Sequence, residues 1–233
     1  MSTHIIGILG GMGPEAGVYF QKRIVEKTPA TIDQEHIKSI LYTNPQIADR
    51  ATAILQKREE DFVYAISDSL KLLEAMGVSE LFIPCNTSFV GYGQYCSELT
   101  IPLYNLPGKT IEYIEEKKYQ SPYLLATLGT YAADVYADTA TTTISIPDES
   151  STNIVQALIS AIKGRTREQD SLFKQVVGLI QDKSSVILGC TELSLVSADF
   201  AAACPDVVFI DPLDIAASYI VLKYAPVNSS VIR

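Results

Sequence analysis

Histidine is nearly absent from this chain: His4 and His36 are the only two in 233 residues. They stand far apart and outside any ligand spacing, and none of the four cysteines (Cys85, Cys96, Cys190, Cys204) belongs to a Cys-x-x-Cys pair. No metal site is therefore expected. Basic residues are also scarce, 18 against 27 acidic for a net charge of −9, which argues against a general affinity for nucleic acid or an anionic membrane surface. An anionic small molecule is still admitted, because one Arg or Lys in a cleft outweighs the global field at a few ångströms. No apolar run approaches the roughly 20 residues that span a bilayer, the glycine-rich opening carries no Walker-type Gly-Lys-Ser/Thr, and no low-complexity segment occurs. The start, Met1-Ser2-Thr3-His4-Ile5-Ile6-Gly7, lacks the basic, apolar and small-residue parts of a secretory signal. A cytoplasmic protein is the expectation, with its cysteines read as thiols rather than as a disulfide framework.

What is present is strand and helix in alternation from end to end. Ile5 to Leu9 reads as a strand, followed by a glycine-rich turn and a helix from Pro14 to Lys27 whose inward face is expected at Val18, Ile24 and Val25. A strand at Ile37 to Tyr42 precedes a helix over Asp61 to Met76, with Phe62, Ala65, Ile66, Leu70, Leu72 and Leu73 near one stripe and Gly77 closing it. Leu81 to Pro84 is then a third strand. The second half repeats the rhythm with strands at Tyr123 to Ala126, Thr143 to Ile146, Val186 to Leu188 and Val207 to Ile210. Helices are placed near Ala132 and over Asn153 to Ile162, Leu172 to Ile180 and Pro212 to Lys223. This pattern predicts an α/β fold with a mainly parallel sheet flanked by helices in each half. The seam is expected near Ile101 to Gly108, giving a first domain of residues 1–103 plus 211–233 and a second of 104–210.

Two cysteines sit in matching frames: Pro84-Cys85-Asn86-Thr87 follows the apolar run Leu81-Phe82-Ile83, and Gly189-Cys190-Thr191-Glu192 follows Val186-Ile187-Leu188. An apolar run that stops at a small polar tetrapeptide is a buried strand emerging at its carboxyl edge, where open α/β sheets bind ligands. Two such tips facing one cleft would offer a thiol to each face of a small molecule. A free thiol titrates near pKa 8.5, close enough to neutrality for acid and base work. Neighbouring helix amino termini are expected to favour thiolate. Cysteine also packs readily in cores, and that simpler reading is kept for Cys96 and Cys204.

Asn86, Thr87 and Thr191 would offer donors to a carboxylate, or serve as ordinary helix caps. Glu192, in a first helical turn, suits the dipole and would also tune Cys190. Gly11, Gly13 and Ala16 loosely fit a dinucleotide fingerprint, the mark of a nicotinamide oxidoreductase; a tight turn with Met12 against the cleft is the other reading. Arg50 is either a bidentate carboxylate clamp or a solvated loop arginine, and Lys163 from local sequence is a cation complementing a helix end.

Taken together, Gly10-Gly11-Met12-Gly13-Pro14-Glu15-Ala16, Asn44-Pro45-Gln46 with Asp49-Arg50, Pro84-Cys85-Asn86-Thr87, Leu125-Ala126-Thr127 with Gly129-Thr130, Pro147-Asp148-Glu149 and Leu188-Gly189-Cys190-Thr191-Glu192-Leu193 resemble the aspartate/glutamate racemase family over nearly the whole chain. The resemblance implies a cofactor-independent amino-acid racemase of two pseudo-symmetric Rossmann-like α/β domains, usually a homodimer, with its active site in the interdomain cleft and Cys85 and Cys190 as the two acid/base groups. It implies that Asn86, Thr87 and Thr191 bind the substrate's carboxylate and amino group, that Arg50 holds a distal carboxylate, and that Lys163 approaches the substrate. Met12, Gln46, Thr127 and Thr130 would line the pocket. Many relatives continue the first motif as Cys-Asn-Thr-Ala-His, where this chain has Ser88 and Phe89. Dicarboxylate isomerases and decarboxylases of the same fold, and a non-catalytic dicarboxylate-binding protein, are the competing readings.

Overall fold

A computed structural model describes residues 4–137 and 141–226. The first half runs β1 (Ile6–Gly10), α1 (Pro14–Lys27), β2 (Ser39–Thr43), α2 (Arg50–Leu55), α3 (Glu60–Ala75), β3 (Glu80–Phe82), α4 (Tyr92–Glu98) and α5 (Leu106–Lys117). The second runs β4 (Tyr123–Leu125), α6 (Leu128–Ala132), α7 (Glu149–Gly164), α8 (Gln169–Ile180), β5 (Ser185–Leu188), α9 (Thr191–Ser194), α10 (Ser197–Ala203), β6 (Val208–Ile210) and α11 (Pro212–Tyr224). The strands form two parallel sheets, ordered β2-β1-β3 and β4-β5-β6. The central strands β1 and β5 are buried along their whole length, as strands covered by helices on both faces must be, and this accounts for their nearly continuous apolar runs.

Several local expectations are corrected. The inward face of α1 is Ala16, Gly17, Phe20 and Ile24, whereas Val18 and Val25 are 58% and 51% exposed. Close approach decides this face: a Cβ on Gly17 would stand 3.1 Å from the Cα of Gly10 in β1, so the small residues, not the branched ones, turn toward the sheet. Leu72 of α3 likewise points outward, while Gly77 does close that helix, at φ 80°. The stretch near Thr143 to Ile146 contributes a single bridge, Ser145 to Tyr123, rather than a strand. The helix expected near Ala132 instead starts at Leu128, capped by Thr127, and ends at Ala132.

The last helix returns to the first half. Leu213, Ala216, Ala217, Ile220 and Tyr224 of α11 join the hydrophobic core built around β1 and β3. Glu80, 3% exposed in β3, accepts hydrogen bonds from Tyr219 (3.0 Å), Lys223 (3.0 Å) and Tyr224 (2.6 Å). A carboxylate buried this deeply needs such partners, and here all three come from one helix, which fixes α11 against the sheet. Among the described residues no helix is long and apolar enough to cross a membrane.

Candidate active site

The strand tips of both sheets open onto one cavity. Met12 reaches it from the turn after β1, Cys85, Asn86 and Thr87 from the end of β3, Thr127 from the end of β4, and Cys190, Thr191 and Glu192 from the end of β5. Asp49, Arg50 and Ala51 enter from the start of α2, and Lys163 from the end of α7. The space is small, about 20 Å³, enough for one water and far below the size of an amino acid. A substrate therefore enters only as the walls separate.

Both thiols are buried, Cys85 at 5% and Cys190 at 6% exposure. Cys190 donates to Glu192 Oε2 at 2.9 Å, and Glu192 Oε1 lies 3.5 Å from Lys163 Nζ. Burial pushes the Cys190 thiol well above its ordinary pKa, and the Glu192 carboxylate pushes the same way against the partial relief given by Lys163. The expected preference for thiolate is thus reversed at Cys190. The cysteine caps α9, a helix of four residues, whose dipole is too short to offset burial beside a carboxylate. Cys85 leads into a 3₁₀ turn, Thr87–Gly91, and not into an α-helix. Burial works against the charge on Lys163, yet Glu192 and the two cysteines more than compensate, so its pKa lies above the ordinary lysine value.

Arg50 is 7% exposed. Its Nη1 donates to the carbonyls of Ala48 (2.9 Å) and Ile47 (3.4 Å), and its Nε has no partner. A desolvated guanidinium satisfied mainly by carbonyl dipoles is prepared for an anion. Asn86 has a similar vacancy: Oδ1 accepts from the Tyr136 hydroxyl at 2.6 Å while the buried Nδ2 has no partner. The hydroxyls of Thr87, Thr127 and Thr130 form a triangle with edges of 2.8, 3.0 and 3.2 Å, which joins the tip of β3 to the tip of β4.

Of the residues expected at the site, Met12, Arg50, Asn86, Thr87, Thr127, Lys163, Thr191, Glu192 and both motif cysteines share the cavity wall. Thr130 stands behind it, 1% exposed. Gln46 does not reach it: the residue is exposed, and its backbone amide is held by Asn44 Oδ1 at 3.2 Å. Phe89 also faces elsewhere, packing on Tyr92 and lining a separate hollow with Pro107 and Val135. Asp49, Ala51 and Tyr136 were not anticipated. Asp49 adjoins Arg50 in the second sequence motif, whereas Tyr136 lies outside every motif and only the fold brings it to Asn86. Among the described residues no group of three His, Cys, Asp or Glu side chains is placed to hold a metal ion.

Comparison with known proteins identifies the family and the fold. The model of the Asp/Glu/hydantoin racemase family matches residues 9–220. The chain belongs to that family. It is thereby an amino-acid racemase, an isomerase. The broad specificity amino-acid racemase RacX of Bacillus subtilis strain 168 is 26% identical over 203 residues, covering 82% of this chain and 87% of RacX. The structure of Picrophilus torridus aspartate racemase superposes with a TM-score of 0.80 at 27% identity, covering 94% of this racemase and 93% of the other. An aspartate racemase homologue from Pyrococcus horikoshii OT3 shares the fold, with a TM-score of 0.70 at 21% identity over 95% and 98% of the two chains.

Proposed function

We propose that this racemase inverts an acidic amino acid, aspartate before glutamate, by proton transfer between two thiols and the α-carbon. The observation that carries the reading is the pair of buried cysteines, one from each sheet, on the wall of one cavity that also holds an anion-ready Arg50 and an unpartnered Asn86 amide. One cysteine as thiolate removes the α-proton from one face, and the other as neutral thiol delivers a proton to the opposite face. Cys190, held protonated by burial and Glu192, is the resting donor. When Cys190 in turn carries the charge, Lys163 offsets part of the repulsion from Glu192. Donors from Asn86, Thr87 and Thr191 stabilise the carbanion-like state at the α-carboxylate, and Arg50 takes the distal carboxylate. No cofactor enters this scheme.

RacX is described as broad in specificity, but the buried guanidinium of Arg50 favours a second carboxylate here, since an apolar side chain would leave that charge uncompensated. The proposal includes the division into residues 1–103 with 211–233 and 104–210, supported by the packing of α11 on the first core. By family resemblance it also includes a homodimer working in the cytoplasm.

Incubation with L-aspartate in heavy water tests the reaction. Deuterium is expected at the α-position together with growing D-aspartate, and Cys85→Ser or Cys190→Ser is expected to abolish net inversion. Loss of carbon dioxide would mean a decarboxylase, and ligand-induced stabilisation without exchange would mean a binding protein; either result overturns the reading.

A further inference from the structure

Tyr136 is 4% exposed and belongs to the core around β4 and β5. Its hydroxyl crosses to the other sheet and donates to Asn86 Oδ1 at 2.6 Å. An asparagine amide can rotate by 180° and exchange its acceptor for its donors, so its two orientations offer a ligand opposite chemistry. We infer that Tyr136 is a positioning residue for the reaction: its hydroxyl pins the oxygen of Asn86 away from the cavity and leaves both Nδ2 protons for an acceptor-only group, a substrate carboxylate.

Three observations support this. Asn86 is 2% exposed and lines the cavity, and its Nδ2 has no partner, so a buried donor is being held in reserve. Leaving such a group unsatisfied costs folding free energy, and a flip that used Nδ2 would relieve it. Tyr136 opposes that flip because its hydroxyl would have to turn its proton away and accept from Nδ2, giving up the 2.6 Å bond it donates to Oδ1. Burial also keeps the phenol far above its ordinary pKa, so the donor persists across the working pH range. Without this contact the amide would sample both orientations, and the carboxylate would meet an oxygen for part of the time.

The inference rests on the proposed reaction for its kinetic arm alone. Tyr136→Phe, Asn86→Ala and the double variant are compared by α-proton exchange from aspartate in heavy water, a double-mutant cycle. Tyr136→Phe is expected to lower kcat/KM by about tenfold, the loss of one useful hydrogen bond, and by less than about twofold once Asn86 is alanine. An equal factor in both backgrounds would mean that Tyr136 supports only the fold, and no loss in the otherwise native protein would end the proposal. The second arm needs no turnover. The side-chain amide of Asn86, assigned by its disappearance in Asn86→Ala, is followed by ¹⁵N NMR in the ligand-free protein. One sharp set of two amide protons is expected in the native chain, and a second set or exchange broadening in Tyr136→Phe as the amide samples both orientations; a single sharp set in both overturns the inference. Were the native protein to show no exchange of the α-proton, the racemase reading would fail by itself, and the NMR arm would still decide the role of Tyr136.

Discussion

Adding one methyl group at Gly129 should disturb a site that the residue does not itself line. A Cβ built there falls 2.6 Å from Ala51 Cα, 3.0 Å from Ala51 Cβ and 3.4 Å from Thr87 Cγ2. Carbon atoms pack favourably at about 3.5–4.0 Å, so α6 and α2 must part by roughly 1 Å. The nearest atom is backbone, and no rotamer change relieves the clash. Arg50 opens α2 directly before Ala51, so the displacement carries its guanidinium with it. Overpacking of this kind costs about 1–3 kcal/mol, and a group misplaced by about 1 Å loses on the order of a hundredfold in rate. Gly178→Ala is the control: this glycine lies within α8, and nothing stands within 4 Å of its built Cβ, so alanine there should gain about 0.5–1 kcal/mol. Urea denaturation and kcat/KM for α-proton exchange, measured on both variants, decide the matter. A Gly129→Ala protein as stable and as active as the native one would refute the claim that close contact between these helices sets the position of Arg50.

Two further outcomes concern charge. Glu192→Gln keeps an acceptor for the Cys190 thiol but removes the negative charge that helps to raise its pKa. The rise of exchange rate with pH should therefore move to lower pH, and an unchanged or opposite profile counts against the assigned coupling. Asp211, at the start of α11, is raised from 3.8 to about 6 by burial, despite hydrogen bonds from Ser194 and the Leu213 amide. A raised folded-state value means that stabilisation is complete below 3.8 and is lost as pH climbs through about 6. Asp211→Asn keeps an oxygen for the cap and should be about 1–3 kcal/mol more stable at pH 7, with little advantage at pH 4; equal melting temperatures at pH 7 would show that the carboxylate is not strained.

The parallel sheets and the strand-tip cysteines were legible because a strand buried on both faces writes itself as a continuous apolar run, and the polar tetrapeptide after it marks its exit. Two short helices were not. Arg50–Leu55 and Ser197–Ala203 hold six and seven residues, too few to establish a periodicity. Val18 misled because branched apolar character was read as inward, when contact between α1 and β1 required glycine and alanine. The upward shift of the Cys190 thiol is not legible, because the sequence displays the helix start but not the burial around it. Tyr136 was invisible for a topological reason: its partner lies 50 positions away on the other sheet, a relation that local pattern does not encode.

The return of α11 to the first core means that the polypeptide leaves that core along α5, between Leu106 and Ile114, and comes back to it between Ile210 and Leu213. Bodies joined by one thread can swivel in any direction, whereas bodies stitched at two places turn chiefly about the line through the stitches. Admission of a ligand then resembles the opening of a bound book: the pages separate at the outer edge and come back into the same alignment, which is what the proposed reaction would demand of two sulfur atoms meeting the same carbon at every turnover.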